Sequence, residues 1–271
     1  MMSRIRYSQC MFWFGMAFLY LPMLSLIVYS FNESRLVTVW AGWSVKWYGE
    51  LFQDRDLMTA VWRSLKVAFW SANAAVVLGI LASVALTRFG RFKGRSLLHS
   101  LVTAPLVMPD VIIGLSLLLL FVSMADLIGW PQQRGLLTIW IAHATFCTAY
   151  ATVVITSRLK ELDRSYLEAA MDLGATPLKA FIQITLPIIM PALVSAWLLA
   201  FTLSLDDVVI ASFVSGPGST TLPIEVFSSV RLGVSPKINA LATIIILIVS
   251  LVTLAVWWFT RRQLKKSKAS R

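Results

Sequence analysis

The sequence predicts an all-α polytopic membrane protein with six transmembrane helices. Three observations carry that expectation. Of the 271 residues, 58% are hydrophobic and only 14% are charged, a balance outside the soluble range. Six apolar runs recur along the chain. Each has about the 20 residues needed to cross roughly 30 Å of hydrocarbon. Basic residues also gather in alternate loops, as the positive-inside rule demands.

The first run covers 11–31 and follows Arg4 and Arg6. It is too long for a signal-peptide core, and no small-x-small cleavage site follows, so it reads as a retained span. The remaining spans are expected at 65–87, 97–124, 136–156, 188–214 and 238–260, making 1–271 one transmembrane domain. Sixteen of the 24 Lys and Arg lie at the two ends and in the loops around Arg88–Arg95 and Arg158–Lys179. That side is expected to be cytoplasmic, with both termini on it. The basic tail Arg261–Arg271 reads as a stop-transfer anchor on anionic membrane lipids. This placement explains the net charge of +11 without nucleic acid.

Outside, Asn32 to Met58 carries Trp40, Trp43, Trp47 and Tyr48. Such rings favour the membrane–water interface, so part of this loop is expected to lie on the bilayer, with a sugar-binding platform as the weaker reading. Ser215–Pro223 reads as turns, and 225–237 as a short outer helix.

Between spans four and five lies a polar, helix-forming stretch, Glu168–Pro187, within a loop over 158–187. Ser165 and Glu168 are spaced as a capping box. Ala169, Ala170, Met171 and Leu173 favour helix. Gly174 is placed to end that helix in a left-handed turn. Thr176 and Pro177 are placed as N-cap and first residue of a second helix, and Pro187 as a further bend. Two short helices meeting at a glycine corner are expected.

Three carboxylates fall within the spans: Asp110, Asp206 and Asp207. A charge at mid-bilayer costs at least about 2.5–3.5 kcal/mol, so each should face a cavity or a partner. Asp110 follows Pro105 and Pro109 near the middle of span three, where the prolines free carbonyls. Asp206 and Asp207 point about 100° apart on a helix, so one is expected toward a pathway and the other toward a neighbouring helix. A carboxylate-lined route suits a cation, to which Trp140, Tyr150 and Phe201 add cation–π attraction. His99 and His143 have no partner at ligand spacing and read as hydrogen-bonded packing groups, and Cys10 and Cys147 as apolar packing residues. No metal site, catalytic constellation or G-x-x-x-x-G-K-[ST] phosphate loop is present in the sequence. No cofactor is expected on this chain, and any ATP must be bound by another.

Glu168-Ala-Ala, three residues, Gly174, nine residues and Ile184-x-Leu186-Pro187 resemble the EAA loop of permease subunits in bacterial ABC importers. The resemblance implies a type I (MetI-like) permease fold. It also implies that Glu168, Ala169, Ala170, Gly174, Ile184, Leu186 and Pro187 dock on a cytoplasmic ATPase. Further stretches resemble the polyamine branch: Ser30-Phe-Asn32, Pro105–Asp110, Ser204–Phe213, Ser215–Gly218 and, toward putrescine importers, Leu36–Trp43 with Trp47–Glu50. That branch implies an inner-membrane heteromer. Its parts are two different permeases, two ATPase subunits that hold ATP and magnesium, and a periplasmic polyamine-binding protein. One six-helix chain is also small for a gated pathway, which fits pairing. Two readings compete: a proton-coupled secondary transporter using the three carboxylates as relays, and an ABC permease for another solute such as ferric ion.

Overall fold

The computed structural model describes residues 2–36, 39–163, 165–232 and 235–269, with side chains except at 2–7, 232, 256–257 and 259–269. The helices run α1 (Met2–Ser30), α2 (Lys46–Gln53), α3 (Arg55–Arg88), α4 (Arg95–Thr103), α5 (Asp110–Ile128), α6 (Leu136–Glu161), α7 (Ser165–Asp172), α8 (Pro177–Ala180), α9 (Leu186–Asp206), α10 (Val209–Val214), α11 (Leu222–Leu232) and α12 (Pro236–Ala269). Six stretches among the described residues are long and apolar enough to cross a membrane: Ser8–Ser30, Arg55–Arg88, Asp110–Ile128, Leu136–Glu161, Pro177–Asp206 and Pro236–Ala255. The side chains of Arg4, Arg6, Arg164 and the basic tail, on which the topology argument partly rests, lie outside the described residues.

Two spans depart from expectation. The run 97–124 is not one helix: α4 ends in a 3-10 turn, Ala104–Leu106, and a new helix begins at Asp110. Pro105 and Pro109 each remove an amide donor, and a proline disfavours helical backbone at the residue before it, here Met108. Asp110 therefore stands in the first turn of α5 rather than in mid-span. The run 188–214 also breaks, because α9 stops at Asp206 and Asp207 is extended at ψ 123. At its other end this helix starts earlier than expected. α8 passes through a π stretch, Phe181–Thr185, directly into α9, so Pro177–Asp206 is continuous. Pro187 lies just beyond that π stretch, whose Leu186 amide donates to the Phe181 carbonyl. The wider turn accommodates a proline inside a helix, so the expected bend is a local bulge instead.

The chain forms two compact units, Met1–Met58 with Ser228–Arg271, and Thr59–Phe227. In the larger, α6 packs along α9 and α10, and α5 packs on α10. Small residues make this close: Ala142, Ala151, Ala196 and Ala200 are fully buried, the association device expected between membrane helices. A Cβ at Gly79 would stand 3.1 Å from that of Ala151, and one at Gly114 2.7 Å from Phe213 Cδ2. Hydroxyls bridge α3 and α6: Ser83 Oγ donates to the Thr152 carbonyl at 3.1 Å and accepts from Thr156 Oγ1 at 3.0 Å.

In the smaller unit α1 and α2 pack on α12. Buried Asn32 organises the loop after α1. Its Nδ2 donates to the Val39 carbonyl at 2.7 Å, and its Oδ1 accepts from Ala41 and Ser34. Trp47 is buried and its Nε1 donates to the Asn32 carbonyl at 2.6 Å, while the Tyr48 hydroxyl bonds Ser30 Oγ at 2.7 Å. Trp47 and Tyr48 thus tie the loop to the end of α1. Trp40 and Trp43 remain exposed in an edge-to-face pair. The expected outer helix is α11, which starts at Leu222 after turns in which Ser219 Oγ donates to the Gly216 carbonyl at 2.7 Å.

Lys237 at the start of α12 pairs with Asp54 at 2.9 Å, and this hydrogen bond holds the Asp54 carboxyl below its usual range. A carboxyl lowered on folding contributes stability above its unfolded pKa, lost as pH falls through the folded value. Lys237→Met is therefore expected to cost about 0.5–1 kcal/mol at neutral pH. Thermal unfolding in detergent checks this: the deficit should shrink on acidification below the ordinary carboxylate range, and a deficit independent of pH would contradict it.

Candidate functional site

The helical corner over 165–187 is built from backbone caps. The described part of α7 runs from Ser165, and the residue before it, Arg164, lies outside the described residues. The Asp163 carboxylate accepts the Ser165 amide at 3.0 Å and so holds the entry to α7. At the far end Gly174 has φ +88, its amide donates to the Met171 carbonyl at 2.9 Å, and the Ala175 amide donates to the Ala170 carbonyl at 3.0 Å. These two bonds define a Schellman motif, in which only glycine adopts the left-handed turn cheaply. Thr176 then caps α8, its Oγ1 accepting the Lys179 amide at 3.4 Å, with Pro177 first in the helix.

The seven motif positions sort by direction. Ala170 is buried and Ile184 and Leu186 half-buried, with Leu186 against the core; Glu168, Ala169, Gly174 and Pro187 are exposed. The buried Ala170 and Ala180 let α7 and α8 pack closely. The corner is less polar than its sequence suggests. Leu173 beside the glycine is 90% exposed, Leu178 69% and Tyr166 56%. The corner therefore presents an apolar tip at its surface.

The carboxylates lie elsewhere on the same unit. Asp207 occupies the break after α9. Its Oδ1 accepts from Ile210 at 3.2 Å and its Oδ2 from Ala211 at 2.8 Å, so it caps α10. Its Oδ2 also meets His143 Nε2 at 3.1 Å, and His143 Nδ1 bonds Ser204 Oγ at 2.7 Å. The side chains of His143 and Asp207 are 2% and 8% exposed. Asp207 is thus the member bonded to a neighbouring helix, and Asp206 is exposed. Asp110, at the start of α5, is likewise exposed. His143 and Tyr150 lie seven apart on α6, hence on one face. Trp140, one turn before His143, is half-buried, and its Nε1 is buried without a hydrogen-bond partner. Phe201 stacks on Trp197 at 5.2 Å, on the core side of α9.

The His143–Ser204–Asp207 cluster was not legible in the sequence. Ser204 and Asp207 are three apart, a local signal for capping, but the histidine is 61 residues upstream of Ser204. His99 is exposed, with no role in this cluster.

Among the described residues, six helices of membrane length define an integral membrane protein. The chain belongs to the family of binding-protein-dependent transport system inner membrane components, whose model matches residues 75–267. It is a multi-pass inner-membrane permease component and not an enzyme. Its sequence is 66% identical to the putrescine transport system permease protein PotI of Escherichia coli K12, over 93% of this chain and 90% of that protein. It is 43% identical to the spermidine/putrescine permease protein PotC of the same organism, over 87% and 86%. Its fold matches a bacterial ABC transporter that imports alginate, with TM-score 0.70 at 17% identity over 96% of each chain. The MetNI methionine ABC transporter matches with TM-score 0.57 at 20% identity, over 75% of this chain and 92% of that one.

Asp207→Ala strands two amides and His143 without an acceptor, and should cost about 2–3 kcal/mol. Asp206→Ala should cost little. Thermal unfolding of the two variants in detergent checks this, and equal melting would remove the capping role.

Proposed function

We propose that this chain is the permease subunit of an ATP-driven importer that carries polyamines, putrescine foremost, across the inner membrane. The observation that carries the reading is the 66% identity to PotI over 93% of the chain. In this reading both termini and the coupling corner face the cytoplasm. The corner docks on a separate ATPase subunit, one of two, which binds ATP and magnesium. A sister permease completes the pathway, and a periplasmic polyamine-binding protein delivers the cargo.

The geometry supports a division of labour. Glu168, Ala169, Ala170, Gly174, Ile184, Leu186 and Pro187 form the docking corner and its root. Asp110 and Asp206, being exposed, are the carboxylates proposed to meet the cation, and Tyr150 and Trp140 are the aromatic rings proposed to add attraction. Asp207 shapes the route by holding the helix break. ATP-driven closure moves the corner, and the continuous helix from Pro177 carries that motion to Asp206. A proton relay does not explain the corner, and ferric ion does not explain the sequence likeness.

Gly174→Asp should leave the protein in the membrane and keep basal ATP hydrolysis by the partner, yet abolish stimulation by loaded binding protein and uptake of labelled putrescine. Normal uptake would contradict the docking role. Asp206→Asn should slow putrescine uptake severalfold in cells, and unchanged uptake would remove Asp206 from the route. Uptake in vesicles holding this chain alone, driven by a pH gradient without ATP, would favour the relay.

A further inference from the structure

We propose that a basic cleft at the root of the coupling segment binds the headgroup of an anionic phospholipid. The α3 helix ends at Arg88, and the chain turns through Gly90 (φ +69) and Gly94 (φ +90) before α4 begins at Arg95. That turn encloses, with the last turns of α6, a cleft of about 550 Å³. Arg91, Arg95, His99 and Lys160 line it, with Leu86 and Phe92 as apolar wall, and no carboxylate borders it. Arg95 Nη2 donates to the Leu86 carbonyl at 2.9 Å, which fixes its guanidinium at the cleft edge. The carboxylate next to Lys160, Glu161, pairs instead with Arg158 at 2.9 Å. Asp163 lines an adjoining cavity of about 370 Å³ that shares Arg95 and Lys160, and its Oδ1 is taken by the Ser165 amide.

Three permanent cations line this cleft against one carboxylate in the adjoining cavity, so a net positive charge remains that an anion would offset. A phosphate group fits: the arginines bind it in forked fashion and the lysine as a point charge. A cationic cargo is repelled, so this cleft is not the route of a polyamine. The adjoining surface selects a lipid over a soluble anion. Leu97 and Leu101, four apart on α4, are each 63% exposed, and Phe89 on the preceding turn is 69% exposed. An amphiphile satisfies both surfaces, with its phosphate in the cleft and its chains along Leu97 and Leu101. Basic pockets between membrane helices on the cytoplasmic side recognise anionic headgroups in this way. Lys160 stands five residues before α7, so the bound lipid would brace the segment leading to the coupling corner.

The test is native mass spectrometry of the assembled transporter in mild detergent, titrated separately with phosphatidylglycerol and phosphatidylcholine. In Arg91→Glu/Lys160→Glu, retained phosphatidylglycerol should fall at least about fivefold while phosphatidylcholine is unchanged. If that variant fails to assemble, Arg91→Gln/Lys160→Gln gives the same readout with a smaller fall. Unchanged phosphatidylglycerol retention in an assembled variant would overturn the proposal. So would equal retention of both lipids by the parent, with millimolar inorganic phosphate protecting the parent but not the variant against thermal unfolding, which assigns the cleft to a soluble anion. Lipid retention is read without transport, so it stands or falls apart from the polyamine reading.

Discussion

One uninterrupted helix, Pro177–Asp206, joins the two places where this chain has chemistry to offer. Thirty residues at 1.5 Å each make it about 45 Å long. Side chains satisfy backbone amides at its start and just past its end. Thr176 accepts an amide at the start, and Asp207 takes the two amides of the following helix at the end. In hydrocarbon a freed amide has no water to turn to, so α10 begins where a carboxylate stands ready to accept its first amides. His143 holds Asp207 from the neighbouring α6, which places the break against the core rather than leaving it to fray.

In the proposed function the glycine corner and the helix act as a handle and its shaft. The Schellman turn at Gly174 sets the angle between α7 and α8, and buried Ala170 and Ala180 keep them close. The exposed leucines beside that turn give a partner something to grip. The π stretch before Pro187 is the only departure from α geometry between corner and break among the described residues. It lets a proline sit in the shaft without cutting it.

Local chemistry was readable in the sequence, and long-range placement was not. The spans, the left-handed Gly174 and the Thr176–Pro177 restart follow from apolar length and from caps, which act over a few residues. The broken third span was foreshadowed by Pro105 and Pro109, but the position of Asp110 at a helix start requires knowing that both prolines stop the helix rather than bend it. Trp47 looked like an interface ring because composition says nothing of Asn32, fifteen residues earlier, which accepts its indole hydrogen. Asp207 looked like a helix residue because its partner His143 lies 64 residues away. The basic cleft was visible only as a count of positive charges. Folding decided which of them share one cavity.

The account turns on motion passing from the corner to the break along that helix. It is tested most directly by the reactivity of a cysteine at Asp206, in a Cys10→Ser background, toward a water-soluble maleimide in the assembled transporter. Reactivity should change severalfold between nucleotide-free and ATP-trapped states, and Gly174→Asp should abolish the change. A nucleotide-dependent change that survives Gly174→Asp, or no change in the parent, would contradict the account.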